Sequence, residues 1–248
     1  INSNTLGNAG LAIQGQTAGQ DVSVFMISDG LVHPGLRAGL ANLLNVSGVA
    51  VITPATALPA VTDANTSIDG TTQTADVGNS NAVVLGTGGT VGVDGLALST
   101  VPGPEVEVAY AGPLPRPNGL LIRANNTIVR GLSILGFGAA GGDAGVRVDA
   151  FTGALIEGNV LGSHATLFTD PGAVQRNQAG VASVGGSNGI VRNNLIGFGR
   201  VTGVNLISGS TGWAVSGNEI RDSGMDTADG DGIRVDAAPI KTASGNLM

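Results

Sequence analysis

The 248-residue sequence has no cysteine, which excludes thiol catalysis, disulfide bonds and thiolate metal sites. Aromatic residues make up only 3% and charged residues 12%, although hydrophobic residues reach 42%. The apolar residues are therefore mainly Val, Ile, Leu and Ala, which suit thin, repeated layers. No run of about 18 apolar residues is free of Gly, Pro, Asn or Asp, so the sequence predicts no membrane span.

The charge balance is acidic, with a formal net charge of -7 and a pI of about 4.6. Such a surface repels phosphate backbones, so we expect no nucleic-acid partner. A chain without cysteine fits an exported bacterial surface protein, although many cytosolic proteins also lack cysteine. The chain begins at Ile1 without a basic and apolar leader, so either a signal peptide has been removed or the chain is part of a larger protein.

Two short patterns alternate along the second half of the chain. The first reads Gly, apolar, any residue, apolar, and it occurs at 119–122, 145–148, 203–206 and 232–235. The second places Asn between two apolar positions, and it occurs at 156–161, 191–196, 215–220 and, truncated, at 242–246. Both have the period of a β-strand with one buried face, and such short strands bury that face only by stacking repeat on repeat.

The asparagines of the second pattern predict a structural ladder of Asn159, Asn194, Asn218 and Asn246. Asn tolerates the left-handed backbone of a sharp bend, and stacked amides can hydrogen-bond from one repeat to the next. The ladder positions are 35, 24 and 28 residues apart. A minimum coil of about 24 residues with insertions at one bend accounts for this spacing.

These motifs resemble the PbH1 repeats of pectin-lyase-like, right-handed parallel β-helix proteins. Residues 118–248 carry the repeats, and residues 48–73 are similar to the opening coils of bacterial cell-surface members. The resemblance implies an all-β fold, namely a single right-handed parallel β-helix (a solenoid) with a short N-terminal capping helix that seals the open end of the core.

We expect one domain over residues 1–248. Residues 1–47 form its cap region, with a helix near 29–44 that Asp29 caps and that carries Leu36, Leu40, Leu43 and Leu44 on one face. Residues 48–248 form the coils, including 71–101 with long polar turns. Excursions from the coils are expected near 102–118, 163–179 and 221–231.

The segment 222–231 concentrates carboxylates at Asp222, Asp226, Asp229 and Asp231. Three interpretations stay open. The group can bind Ca²⁺ through oxygen ligands, it can supply an acid and a base for a glycosidic bond, or it is a solvated turn. Ca²⁺ is the one cofactor that the sequence suggests.

A second candidate site is an outward face that carries Arg147, Asp149, Arg234 and Asp236, all at equivalent positions of the Gly pattern. Arginine there can grip the carboxylates of a uronic acid polymer, or the face is simply hydrated. Trp213 falls where other repeats have Thr127, Ala154 and Gly189, so it either protrudes as a sugar-binding ring or packs in the core.

The active-site motifs of polygalacturonase-like and pectate-lyase-like members are absent from the sequence, and no catalytic residue is assigned. We therefore expect a non-catalytic structural or binding module of an exported bacterial cell-envelope or surface protein. Its partners would be a polysaccharide or other envelope proteins. The alternatives are a lyase or glycoside hydrolase that acts on an acidic polysaccharide and, ranked last, an adhesin or phage spike.

Overall fold

A computed structural model of the chain describes residues 19–228, 230–236 and 242–248. The described residues form an all-β structure with one short helix, α1 (Thr71–Asp76). None of their helices has the length and apolar character needed to cross a membrane.

Three parallel sheets contain most of the strands. Sheet 1 consists of β1 (Asp21–Val24), β3 (Thr66–Asp69), β10 (Ile128–Arg130), β13 (Leu155–Glu157), β16 (Ile190–Arg192), β19 (Ala214–Ser216) and β22 (Thr242–Ser244). Sheet 2 consists of β2 (Ala50–Ile52), β8 (Val106–Ala109), β11 (Leu132–Leu135), β14 (Val160–Leu161), β17 (Leu195–Gly197) and β20 (Glu219–Arg221). Sheet 3 consists of β9 (Leu120–Ile122), β12 (Val146–Asp149), β15 (Ala179–Val184), β18 (Thr202–Ile207) and β21 (Asp231–Val235).

The chain visits sheets 1, 2 and 3 in the same order each time, and we call one such passage a coil. Coil 1 contains β1 and β2, and its Val61 bridges to Ile122 of coil 2 in sheet 3. Coils 2 to 6 each place one strand in every sheet. Coil 7 contains β22, and its Leu247 bridges to Glu219. This ordering is consistent with a parallel β-helix.

Alternation along each strand separates the interior from the outside. In β12, Val146 and Val148 are fully buried, whereas Arg147 and Asp149 remain partly exposed. Val146 lies between Leu120 and Val181 of the neighbouring coils, so aliphatic side chains stack in a column. All three sheets contribute such columns to one continuous apolar core.

The bend between sheets 1 and 2 differs in one respect from the prediction. The left-handed residue is the one that precedes each ladder position, namely Gly158, Asn193, Gly217 and Gly245, with φ of 54–64°. The ladder asparagines themselves have no positive φ. The residue before the ladder therefore makes the turn, and the ladder asparagine is free to form hydrogen bonds.

The predicted helix near 29–44 is wrong. Asp29 and Asn42 form an antiparallel bridge, and turns occupy the residues between them. Gly30, Gly35 and Gly39 have φ of 87°, 88° and 76°, which a right-handed helix does not allow.

The predicted apolar helix face is not buried either, because Leu43 is 65% exposed. Asp29 accepts the backbone N–H of Leu31, as in an Asx turn, and this hydrogen bond is the main reason why the pKa of Asp29 is lowered.

Residues 71–101 do not form ordinary coils. After α1 the chain leaves the stack as an arm, which we define as residues 79–103. Two short antiparallel pairs stiffen it, β4 (Val84–Leu85) with β7 (Val101–Pro102) and β5 (Thr90–Val91) with β6 (Leu96–Ala97). Residues 106–109 within the predicted excursion 102–118 form strand β8 of sheet 2, so only the flanking residues can leave the stack.

Candidate functional site

The four predicted ladder asparagines lie in consecutive coils and are joined in one chain of hydrogen bonds. Nδ2 of Asn159 donates to Oδ1 of Asn194 at 3.0 Å, and Asn194 repeats this bond to Asn218 at 3.0 Å. Asn218 donates in turn to Asn246 at 2.9 Å. The first three residues are fully buried, so this column supports the stack and offers no atom to a ligand.

A second set of bend asparagines, which the sequence patterns did not predict, lies between sheets 3 and 1. Asn65, Asn126 and Asn188 are all left-handed there, with φ of 52–60°. Nδ2 of Asn126 donates to Oδ1 of Asn65 at 3.0 Å. The next coil has Gly153 at this bend. A Cβ at that position would lie 2.5 Å from Oδ1 of Asn126. The signal in the sequence was this alternation of Asn and Gly.

The outer face of sheet 1 neutralises its own charge. Register places Asp69, Arg130, Glu157 and Arg192 in one column of alternating sign. Arg130 Nε lies 2.8 Å from an Asp69 oxygen, and Arg192 Nε lies 2.8 Å from a Glu157 oxygen. Each pair joins neighbouring coils, so this face has little charge left for a partner.

The arm covers the outer face of sheet 2. Leu85 and Val101 of the arm pack in an apolar cluster with Val160 and Leu195. Further along, Glu219 of coil 6 is fully buried and accepts the backbone N–H of Thr87 at 2.6 Å. The arm tip reaches coil 7, where a Cβ on Gly245 would lie 3.3 Å from Leu96.

Near the base of the arm, two buried glutamates fasten loops to sheet 2. Glu105 accepts the backbone N–H of Ser80 at 2.8 Å, and burial raises the pKa of Glu105. Glu107 accepts the backbone N–H of Ala165 at 2.9 Å and pairs with Nδ1 of His164 at 3.0 Å. This hydrogen bond to Glu107 is the main reason why the pKa of His164 is raised.

The outer face of sheet 3 carries an arginine on β12 and another on β21. Arg147, Ala182, Asn205 and Arg234 form one column by register. Strands lie about 4.8 Å apart, so the two arginines are separated by roughly 14 Å. Asn205 is 6% exposed, and its Oδ1 has no hydrogen-bond partner. The structure thus brings Arg147 and Arg234 to one face but does not bring them into contact.

Each of these arginines has acidic neighbours. Arg147 binds Asp149 through Nε at 2.6 Å and Asp143 through Nη1 at 3.1 Å. Arg234 lies 3.3 Å from Asp236, and both of these side chains are about half exposed. The pair at Arg234 is therefore the easier one for a ligand to displace.

Trp213 does not protrude, and its assignment to a binding site is wrong. Its side chain is fully buried, and its Nε1–H donates to the carbonyl of Gly186 at 3.0 Å. The ring occupies the space beside Gly189, where an added Cβ would lie 2.4 Å from ring atoms. Because Gly189 in the preceding coil has no side chain, there is room for the ring.

The carboxylates of the segment 222–231 do not form one cluster. No group of three or more His, Cys, Asp or Glu residues that could hold a metal ion occurs in the described part of the chain. Asp226 points to Arg176 at 3.1 Å and to Arg200 at 3.7 Å. Asp222 has a left-handed backbone, Asp231 is exposed at the start of β21, and the predicted Asp229 lies outside the described residues.

No protein-family model matches the sequence, and comparisons with curated proteins and with solved structures give no match either.

Proposed function

We propose that the chain is a non-catalytic structural and binding module of an exported bacterial cell-surface protein. We propose further that it is a right-handed parallel β-helix of the pectin-lyase-like type. The hand follows from the general rule that crossovers between parallel strands are right-handed. The type follows from the PbH1-like spacing of Gly and Asn in the sequence.

The observation that carries the structural role is where the buried polar side chains are used. Asn159, Asn194 and Asn218 bind the next coil, and the buried Glu107 and Glu219 hold loops against sheet 2. These groups stabilise a rigid scaffold. Carboxylates and imidazoles with such saturated contacts are poorly placed to exchange protons with a substrate.

We assign the binding role to sheet 3 because its Arg234–Asp236 pair is more exposed to solvent than the Arg130–Asp69 and Arg192–Glu157 pairs of sheet 1. Sheet 1 pairs its own charges, and sheet 2 lies beneath the arm. The partly exposed Arg147 and the half-exposed Arg234 would contact carboxylates of a glycan that lies along the stack and passes over the buried Ala182 and Asn205.

Affinity electrophoresis in gels that contain an acidic polysaccharide tests the binding role. We expect retardation of the protein by polygalacturonate or alginate but not by neutral dextran. The double variant Arg147→Gln/Arg234→Gln should migrate freely. Arg192→Gln, which removes a paired arginine from sheet 1, is the matched control and should stay retarded.

Incubation with the same polymers tests the non-catalytic role. We expect neither new reducing ends nor the ultraviolet absorbance of unsaturated uronates. Depolymerisation that is lost in Asp226→Asn or Asp231→Asn would instead favour a lyase or hydrolase. Surface location is tested by protease treatment of intact cells that produce the protein, which should remove it.

A further inference from the structure

A cluster of charged side chains lies where segments from four coils meet between sheets 2 and 3. Arg116 follows β8, Asp170 and Arg176 lie between β14 and β15, Arg200 lies between β17 and β18, and Asp226 lies between β20 and β21. We call these five residues the arginine corner. Neither the repeat pattern nor the proposed binding face on sheet 3 includes Arg116, Arg176 or Arg200.

The carboxylates of the corner are already committed to Arg176. Its Nε and Nη2 bind the two oxygens of Asp170 at 3.1 and 2.7 Å, and its Nη1 binds Oδ1 of Asp226 at 3.1 Å. Arg176 is only 14% exposed. Three guanidinium groups therefore share two carboxylates, which leaves a local charge of about +1 in a chain of net charge -7.

The other two arginines make their hydrogen bonds to backbone carbonyls and not to carboxylates. Arg116 donates to the carbonyl of Val174 at 3.0 Å, and Arg200 donates to the adjacent carbonyl of Ala173 at 2.8 Å. The Nε of Arg200 is buried without a hydrogen-bond partner, since Asp226 Oδ2 lies 3.7 Å away.

The guanidinium groups of Arg116 and Arg200 lie near each other, because they donate to carbonyls of adjacent residues. The pKa of Arg116 is lowered, mainly by burial and next by the charge of Arg200. Within the described residues Arg116 forms no ion pair. An anion placed beside these groups would relieve the repulsion.

We propose that the arginine corner binds the carboxylate of a small-molecule ligand, with Arg116 and Arg200 as its direct partners and Asp226 as an internal competitor. A carboxylate matches the planar fork of a guanidinium with two parallel hydrogen bonds. The site is separate from the face on sheet 3, so it does not depend on the proposed function.

Titration of the folded protein with citrate, followed by the NMR signals of the arginine Nε–H groups, tests the proposal. We expect saturable shifts at Arg116 and Arg200. Arg116→Gln should weaken binding about tenfold or more, because a charge-assisted hydrogen bond is lost. Asp226→Asn should strengthen binding, because the competing charge disappears while an oxygen acceptor for Arg176 remains.

Arg123→Gln is the matched control, because Arg123 is paired with Asp149 on sheet 3 and its loss should leave citrate binding unchanged. Arg116→Lys keeps the charge but not the fork, so its weaker binding with an unchanged melting temperature separates recognition from folding. The absence of saturable shifts, or equal weakening by the Arg123 and Arg116 variants, would overturn the site. Equal affinity for inorganic sulfate would overturn the assignment to carboxylates.

Discussion

The bend between sheets 1 and 2 is built differently in the two halves of the stack. The comparison concerns the residue just before the first outward residue of sheet 2 in each coil. In coils 1 to 3 this residue is apolar, and Ala50, Val106 and Leu132 align there by register. In coils 4 to 7 the same position is asparagine. A buried amide there needs hydrogen-bond partners in the neighbouring coils, and a continuous column supplies them.

The column ends without leaving a buried group unpaired. Asn159 is its first member, and its Oδ1 accepts the backbone N–H of Leu132 at 3.1 Å. Its Nδ2 also donates to the carbonyl of Val129 at 3.0 Å. Asn194 and Asn218 make the same two backbone bonds to the coil before them, so Asn159 stays satisfied without a preceding amide and the leucine can occupy the apolar core.

We call coils 1 to 3 the upper half and coils 4 to 7 the lower half. In the upper half, the same bend carries an excursion of the chain. Coil 2 sends out α1 and the arm, and buried side chains of α1 hold the chain after β1. Thr72 Oγ1 accepts the N–H of Phe25 at 2.8 Å, and Gln73 exchanges two hydrogen bonds with Ile27. Short, regular coils thus rely on a repeated residue, whereas long coils rely on individual contacts between distant segments.

The largest effect is expected from breaking the column at its centre with Asn194→Leu. The change removes acceptors from Asn159 and a donor from Asn218, and all of these groups are buried. Each unsatisfied group costs about 1–3 kcal/mol, so we expect the free energy of unfolding to fall by about 3–5 kcal/mol. Urea denaturation at neutral pH measures it.

Asn205→Leu in the same coil is the control for that change. Asn205 is also buried, but its Oδ1 has no partner, so replacing it with leucine should leave stability unchanged or raise it. Equal destabilisation by the two variants would mean that burial, and not the bonded column, determines the cost.

The sequence predicted the lower half of the stack better than the upper half. The recurring Gly and Asn positions locate the strands of coils 3 to 7, because there one residue pattern meets the same neighbours in each coil. Nothing local in residues 79–103 indicates the arm, since its partners Leu195 and Glu219 lie far along the chain, in coils 5 and 6. The helix near 29–44 failed because glycines with positive φ override a leucine pattern.

The candidate site was less predictable for the same reason. The equivalent positions of Arg147 and Arg234 follow from strand alternation. In contrast, the burial of Trp213 depends on the absence of a side chain at Gly189, one coil away, and the pairing of Asp226 with Arg176 depends on two excursions meeting.

The next largest effect is expected from Gly189→Ala in the lower half. The new Cβ would lie 2.4 Å from the Trp213 ring, and the ring has no exposed surface through which to move. Overpacking of this kind costs about 1–3 kcal/mol. Fluorescence of this single tryptophan should show the displacement, and a thermal melt should show the loss of stability.

Gly141→Ala is the matched glycine variant, because a Cβ there meets nothing within 4 Å. It should melt as the parent protein does. If Gly189→Ala also leaves both the emission and the melt unchanged, the ring does not occupy the assigned space.

A smaller effect on stability is expected at the two buried glutamates that hold the arm, Glu219 in the lower half and Glu105 in the upper half. Both oxygens of Glu219 in coil 6 accept hydrogen bonds from Thr87, and Arg221 contacts the same carboxylate. Glu219→Gln removes one acceptor and the negative charge, so we expect a loss of about 1–3 kcal/mol at pH 7. Hydrogen exchange at the amide of Thr87 should become faster.

Glu105 in coil 2 should respond in the opposite direction. Its Oε2 is buried without a partner, and burial raises its pKa above the usual value of 4.5. Stability is therefore lost as the pH rises from about 4.5 to the folded-state pKa, and Glu105→Gln should be neutral or stabilising at pH 7. Equal losses in the two glutamine variants would contradict this difference between the coils.

The smallest effect concerns the contact that joins the two halves, between Glu107 of coil 2 and His164 of coil 4. The pKa of His164 is raised above 6.5, mainly by this hydrogen bond, so the charged pair contributes stability that is fully present below about pH 6.5. The contribution is lost as the pH rises through the folded-state pKa. The imidazole is 41% exposed, so water screens the pair and the change is small. We expect the difference in melting temperature between the parent protein and His164→Gln to shrink from about pH 6 to about pH 9, and Glu107→Gln, which retains an acceptor for Ala165, to abolish it. A difference that stays constant over this range would show that the charge of His164 does not help to hold the halves together.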